Sequence, residues 1–76
     1  MEKTLLEALE AFYTGNIKKA EANIYVYMKQ PVGIGEHPDV VDAMHSQVEA
    51  IAENEDNRAV VRQLLVKWEG MYNEME

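Results

Sequence analysis

The chain has 76 residues, of which 47% are apolar, no cysteine and a formal net charge of −7. The length allows one small domain, residues 1–76, and the lack of cysteine excludes a disulfide framework and a thiolate metal site. The acidic balance argues against direct contact with nucleic acid, because phosphate binding needs a basic face. No apolar run approaches the roughly 18 residues of a membrane span, and the acidic start is unlike a signal peptide. We therefore expect no membrane association.

The first predicted element is a helix over residues 5–29. Thr4 and Glu7 have the spacing of a capping box just before an apolar run. Apolar residues then recur every three or four positions, and Gly15 does not interrupt their phase. The stripe consists of Leu6, Leu9, Tyr13, Ile17, Ala20, Ile24 and Met28.

The next segment is a predicted turn at Gln30–His37. Pro31 and Pro38 enclose two glycines, a composition that ends one helix and allows the next to begin. The turn has two interpretations: a simple connection, or a recognition loop on a rigid scaffold. The candidate recognition residues are Gly33, Ile34, Gly35, Glu36 and His37.

The second predicted helix covers residues 38–74, since no glycine or proline occurs between Asp39 and Glu69. Its apolar residues form two stripes with different phases: Val41, Met44, Val48 and Ile51, then Val61, Leu64, Leu65, Trp68, Met71 and Met75. A polar run at 53–57 separates them. The preferred fold is all-α, a long antiparallel helical hairpin. The alternative is a three-helix bundle broken near 53–57.

Pairing the apolar stripe of the first helix with those of the second predicts a register, and it predicts that the second helix extends beyond the first. The predicted neighbours are Met28 with Val40, Ile24 with Met44, Ile17 with Ile51, and Leu6 with Arg62. In this register the first helix ends before the apolar residues Leu65, Trp68, Met71 and Met75 are covered. We predict that these four residues form an oligomer interface, with a two-fold dimer and a four-helix core as the simplest solution.

The free energy of folding also favours an oligomer. A compact monomer of this mass removes about 7,900 Å² from water. The apolar part contributes roughly 110 kcal/mol, while ordering the chain costs about the same. An elongated hairpin buries less surface and would be stabilised by a second copy.

The sequence predicts no catalytic, metal or cofactor site. Asp42 and His45 have a spacing found in carboxylate-bridged metal bundles, but the first helix lacks the matching inward carboxylates. Ser46, the single serine, follows His45 on a helix, so the two side chains diverge by about 100°. We expect a binding protein and not an enzyme.

Five carboxylates recur at helical spacing and form what we call the acidic face: Asp39, Asp42, Glu49, Glu53 and Asp56. The face is either a solvated exterior or a docking surface for a basic protein. A competing function is an oligomeric binder of a small anion, such as a nucleotide signal, with Lys18 and Lys19 as donors.

The stretch Ile24–Leu65 resembles a known group of proteins. The segments IYVYMKQPVGIGEHPDVVDAM and VEAIAENED are similar to short helical proteins of T4-like tailed phages, especially those that infect marine cyanobacteria. The resemblance predicts an apolar residue where this chain has Arg58. It implies a phage origin, a location in the cytoplasm of an infected bacterium, and binding of a host factor or sequestration of a signalling molecule. It implies no particular site residues.

Overall fold

A computed structural model describes the backbone of residues 2–29 and 39–75 and the side chains of residues 3–29 and 39–69. All of these residues are helical: α1 spans Glu2–Lys29 and α2 spans Asp39–Met75. The two helices pack against each other as an antiparallel hairpin that measures 64 × 14 × 12 Å. The predicted all-α hairpin is confirmed. The predicted turn, with Gly33, Ile34, Gly35, Glu36 and His37, lies outside the described residues.

α1 begins earlier than the capping motif predicts. Thr4 is the third residue of the helix, so it lies within the first turn and does not cap the start of the helix. Lys3 Nζ donates a hydrogen bond to Glu69 Oε2 at 2.6 Å, a contact with α2 that the local sequence does not reveal. Gly15 lies within the helix, as predicted, and a Cβ atom there would meet nothing within 4 Å. Its exposed position explains why the glycine does not interrupt packing.

α2 continues through the polar run at 53–57, so the three-helix alternative is not adopted. Asn54, in the middle of this run, is buried. Its Nδ2 donates to the Ala50 carbonyl oxygen at 2.7 Å, and its Oδ1 accepts from Asn16 Nδ2 at 3.0 Å. A polar residue can face the partner helix here because both ends of its amide are hydrogen-bonded.

The residues that face the opposite helix alternate at spacings of three and four, the 3.5-residue period of a coiled coil. We call this set the seam, and its members are all buried or half-buried. They are Leu6, Glu10, Tyr13, Ile17, Ala20, Ile24 and Tyr27 in α1, and Val40, Met44, Gln47, Ile51, Asn54, Arg58, Val61 and Leu65 in α2. The deepest apolar side chains are Ile17, Ala20 and Val61, which are 5%, 2% and 3% exposed.

The predicted apolar stripes are therefore partly wrong. Six of their described members are exposed: Leu9, Met28, Val41, Val48, Leu64 and Trp68. Polar residues take several of the inward positions, and Arg58 occupies one where the phage resemblance predicts an apolar residue. The reason is the period. A stripe drawn on a straight helix drifts away from the 3.5-residue repeat that two packed helices keep in contact.

The predicted register is also wrong, by about three residues. Asn16 bonds Asn54, although Ile17 was predicted to lie beside Ile51. Arg62 donates a hydrogen bond to Glu10, whereas the predicted register placed Arg62 beside Leu6. Polar pairs between the helices select the register, as polar core residues do in coiled coils.

Compared with the predicted register, the observed register places the first residues of α1 closer to the C-terminal end of α2. Because Lys3 reaches Glu69, the first turn of α1 lies beside the segment that contains Trp68. Leu65 is half-buried in the seam, and Trp68 is 40% exposed. Leu65 and Trp68 were predicted to project past α1, and the prediction is wrong because α1 extends alongside both residues. The side chains of Met71 and Met75 lie outside the described ones, and an oligomer interface at these four residues stays a prediction.

Candidate functional site

The acidic face lies on the outer side of α2, away from α1. Asp39, Asp42, Glu49, Glu53 and Asp56 are all exposed. The seam explains this exposure, because the five carboxylates alternate between the two heptad positions farthest from it. The structure thus brings the predicted partner-binding residues of α2 onto one surface.

The carboxylates of the acidic face differ from those beside the seam. Glu10 Oε2 accepts from Arg62 Nε, and Glu69 Oε2 from Lys3 Nζ, each at 2.6 Å. Among the described side chains, no ion pair joins a lysine or arginine to the acidic face. Glu49 Oε2 lies 4.0 Å from His45 Nε2, which is a charge pair only when the imidazole is protonated. Most of this negative charge is therefore not neutralised by the side chains of residues 3–29 and 39–69.

Two valines border the acidic face, although both were predicted to pack in the core. Val41 is 70% exposed and Val48 is 53% exposed. Both sit seven residues apart on one side of α2, next in sequence to Asp42 and Glu49 respectively. The result is an exposed surface in which apolar groups adjoin carboxylates.

The candidate catalytic and metal residues do not converge in the described part of the chain. Ser46 Oγ donates to the Asp42 carbonyl oxygen at 3.3 Å, a bond within its own helix turn. Asp42 and His45 are both exposed. Over residues 2–29 and 39–75, no three His, Asp or Glu side chains are placed to hold a metal ion.

A second surface feature, which the sequence reasoning missed, is a shallow groove between the helices. It has a volume of about 230 Å³ and four carboxamides in its lining. We call it the amide groove, and its residues are Asn16, Lys19, Ala20, Asn23, Gln47, Ala50 and Asn54. Asn23 Nδ2 donates to Gln47 Oε1 at 3.2 Å, and Asn16 donates to Asn54 at 3.0 Å. The groove offers neutral donors and acceptors, with one lysine at its side.

A sequence signal for the amide groove does exist. Asn16 and Asn23 are seven residues apart, and so are Gln47 and Asn54. Repetition at seven places each pair at one position of the coiled-coil repeat. The sequence analysis did not use this signal, because the predicted stripes contain only apolar residues.

Neither α1 nor α2 has a stretch long and apolar enough to cross a membrane. No family model, curated protein or solved structure matches the chain.

Proposed function

We propose that the protein acts by binding, without catalysis, and that its acidic face docks a basic protein. The observation that carries the proposal is the contrast between two groups of carboxylates. Glu10 and Glu69 are paired with cations of the other helix, whereas the five residues of the acidic face are exposed and lack such pairs among the described side chains. A helix that keeps unpaired carboxylates in a row creates a strong local negative potential.

The pattern of the face suggests the chemistry of the partner. Between Asp39 and Asp56, α2 has six acidic residues and no lysine or arginine. Carboxylates one helical turn apart are separated by about 5–6 Å, which is close to the spacing of successive phosphates. A basic surface that normally holds nucleic acid would complement this row. The exposed Val41 and Val48 add apolar contact, so an amphipathic basic helix fits best.

The biological setting of the proposal comes from the sequence. The resemblance of Ile24–Leu65 to phage proteins supports action on a host protein in the cytoplasm of an infected bacterium. The segment 33–37 directly precedes the acidic face in the chain and is proposed as a second contact region.

The test compares two triple variants of equal net charge. Asp42→Asn, Glu49→Gln and Asp56→Asn neutralise the acidic face, whereas Glu7→Gln, Glu21→Gln and Glu55→Gln neutralise three exposed carboxylates elsewhere. In a pull-down from bacterial lysate, a basic protein should be retained by the wild type and by the second variant, and lost by the first. Raising the salt concentration should release it. Equal retention by both variants would show that the acidic face only aids solubility.

One observation favours the competing function, capture of a small anion. Lys19 lines the amide groove, beside carboxamides that can donate hydrogen bonds. Lys18 projects about 100° away from it, so only one lysine serves the groove. Thermal-shift screening with nucleotides separates the two functions: a large saturable shift that Lys19→Met abolishes would favour the anion binder.

A further inference from the structure

A second stripe runs along one flank of the hairpin and repeats at the same alternating spacings as the seam. Its members in α1 are Leu5, Leu9, Phe12, Asn16, Lys19, Asn23 and Val26. Its members in α2 are Ala43, Ser46, Ala50, Glu53, Asn57, Val60, Leu64 and Lys67. In a bundle of four helices, each helix contacts two neighbours and needs two such stripes. The seam uses one of them, and the second stripe is available for another hairpin.

The second stripe leaves apolar surface uncovered. Leu5 is 74% exposed, Phe12 59% and Val60 52%. The whole chain exposes 6050 Å², whereas a compact protein of this mass exposes about 4,700 Å². The excess is larger than the roughly 800 Å² that one partner buries in a standard interface. One association would therefore bring the exposed area of the chain into the usual range.

Charge distinguishes this flank from the opposite one. The residues of the second stripe directly beside the seam are uncharged: Leu9, Asn16, Asn23, Ala43, Ala50, Asn57 and Leu64. On the opposite side, which we call the charged flank, five of the nine equivalent positions are charged. These nine are Glu7, Thr14, Glu21, Met28, Val41, Val48, Glu55, Arg62 and Glu69. Interface cores are depleted of charged residues. The uncharged flank is the one suited to burial.

We propose that a second copy of this chain packs on the second stripe, related by a two-fold axis parallel to the long axis of the hairpin. The product is a four-helix bundle in which α1 of each copy lies against α2 of the other. Glu53 belongs to both surfaces and enters the dimer interface, whereas the outermost carboxylates Asp42, Glu49 and Asp56 stay on the exterior and remain available for the proposed docking function.

The register within one hairpin identifies the facing residues. Asn16 is level with Asn54, and Glu10 is level with Arg62. By the same register, Lys19 is level with Glu53 and Phe12 with Val60. A two-fold axis parallel to the hairpin preserves height and exchanges the helices. It therefore brings Lys19 to Glu53 of the second copy and Phe12 to Val60 of the second copy.

The residues beside the seam match in the same way. Leu9 meets Leu64 of the second copy, and Asn16 meets Asn57 of the second copy. Apolar groups face apolar groups, and amides face amides, which can both donate and accept. Neighbouring helices are antiparallel throughout, which also pairs opposite ends of their dipoles.

A two-fold axis perpendicular to the hairpin gives poor matches. With this axis, α1 of one copy packs on α1 of the second copy in the opposite direction, and the two helices are aligned at their midpoints. Phe12 then meets Lys19 of the second copy, and Leu9 meets Asn23. On α2, the same axis lies level with residues 56–57, so Glu53 meets Val60 of the second copy and a charged group faces an apolar one. Charge complementarity selects the parallel axis.

A charge exchange tests the interface. Lys19→Glu and Glu53→Lys should each raise the dimer dissociation constant roughly tenfold, since every dimer contains the pair twice. The double variant should restore wild-type association. Light scattering and sedimentation measure the mass, and circular dichroism checks that each variant stays helical. A folded single-chain mass for the wild type at about 100 µM, where a typical dimer is formed, would overturn the proposal. So would a double variant that dimerises less well than either single variant.

Disulfide cross-linking tests the direction of the axis, and the cysteine-free chain gives no background. Phe12→Cys mixed with Val60→Cys should oxidise to a covalent dimer, because the parallel axis brings these positions together. Phe12→Cys mixed with Lys19→Cys is the matched control, since the perpendicular axis brings those two together. Cross-linking only in the second mixture, or in neither mixture, would overturn the proposed arrangement.

Discussion

The two flanks of the hairpin hold the same seam by different chemistry. On the side of the second stripe, Asn16 and Asn23 reach across to seam residues of α2 by amide hydrogen bonds. On the charged flank, the cross-helix bonds involve ions: Lys3 with Glu69, Arg62 with Glu10, and Arg58 Nη1 with Thr14 Oγ1 at 3.2 Å. Neutral amides can be buried at modest cost when they are paired, whereas ions are better left near water. The flank of the second stripe is therefore suited to burial, and the charged flank is suited to contact with solvent.

The largest expected effect concerns the buried amide. Asn54→Ala removes the partner of Asn16 and a side chain that is only 9% exposed. We expect a loss of about 1–3 kcal/mol in the free energy of unfolding, the usual cost of leaving a buried polar group unpaired. Urea titration at fixed protein concentration measures it.

A matched variant shows whether this cost comes from the amide pair. Asn16→Ala removes the same hydrogen bond and leaves the Oδ1 atom of the buried Asn54 without this partner, so its effect should be of similar size. If Asn54→Ala left stability unchanged, the amide pair would not be what distinguishes this flank.

The next effect is the salt dependence of the charged flank. The Arg62–Glu10 pair is partly exposed, with side-chain exposures of 58% and 27%. A double-mutant cycle with Arg62→Gln and Glu10→Gln should give a coupling of about 0.2–1 kcal/mol. This coupling should fall in about 1 M salt, where the Debye length is about 3 Å.

The cycle on Asn16 and Asn54 is the control, because a neutral pair is not screened. Both cycles use urea unfolding at low and high salt. A coupling between Arg62 and Glu10 that persists in high salt would remove the difference between the two flanks.

The smallest expected effect is a pH dependence of thermal stability that arises from Lys3, in the first turn of α1 on the charged flank. The hydrogen bond to the Glu69 carboxylate, helped by its charge and by that of Glu7, raises the pKa of Lys3 above its ordinary value of 10.5. A raised lysine pKa stabilises the fold fully below the unfolded-state value, and the stabilisation is lost as pH rises through the folded-state value. Lys3→Met should therefore lower Tm at neutral pH, and the difference from the wild type should vanish at strongly alkaline pH.

Thermal unfolding of both proteins across this range measures the effect. The wild-type curve alone does not suffice, because it does not isolate the contribution of Lys3. A difference in Tm that is constant with pH would assign the role of Lys3 to packing of its methylenes and not to its charge.

The two helices and the exposed acidic face could be predicted from the amino-acid sequence. Spacing at three and four residues predicted both helices, and the absence of glycine and proline between Asp39 and Glu69 predicted an unbroken α2. The acidic face is exposed as expected from its periodicity. These features depend on short-range spacing along one helix, and they can be read from one helix at a time.

The phase of the seam, the register and the location of the amide groove depend on contacts between the two helices, so they could not be predicted from either helix alone. Apolar periodicity assigned Val41 and Val48 to the core and left Glu10, Asn54 and Arg58 outside the predicted stripes. The structure exposes both valines and places the three polar residues in the seam. Each of these three polar residues has a hydrogen-bond partner on the opposite helix. A polar side chain is stable beside the core only when such a partner is in reach, and the partner lies 38 or more residues away in sequence. The hydrophobic pattern of a single helix contains no information about that distant group.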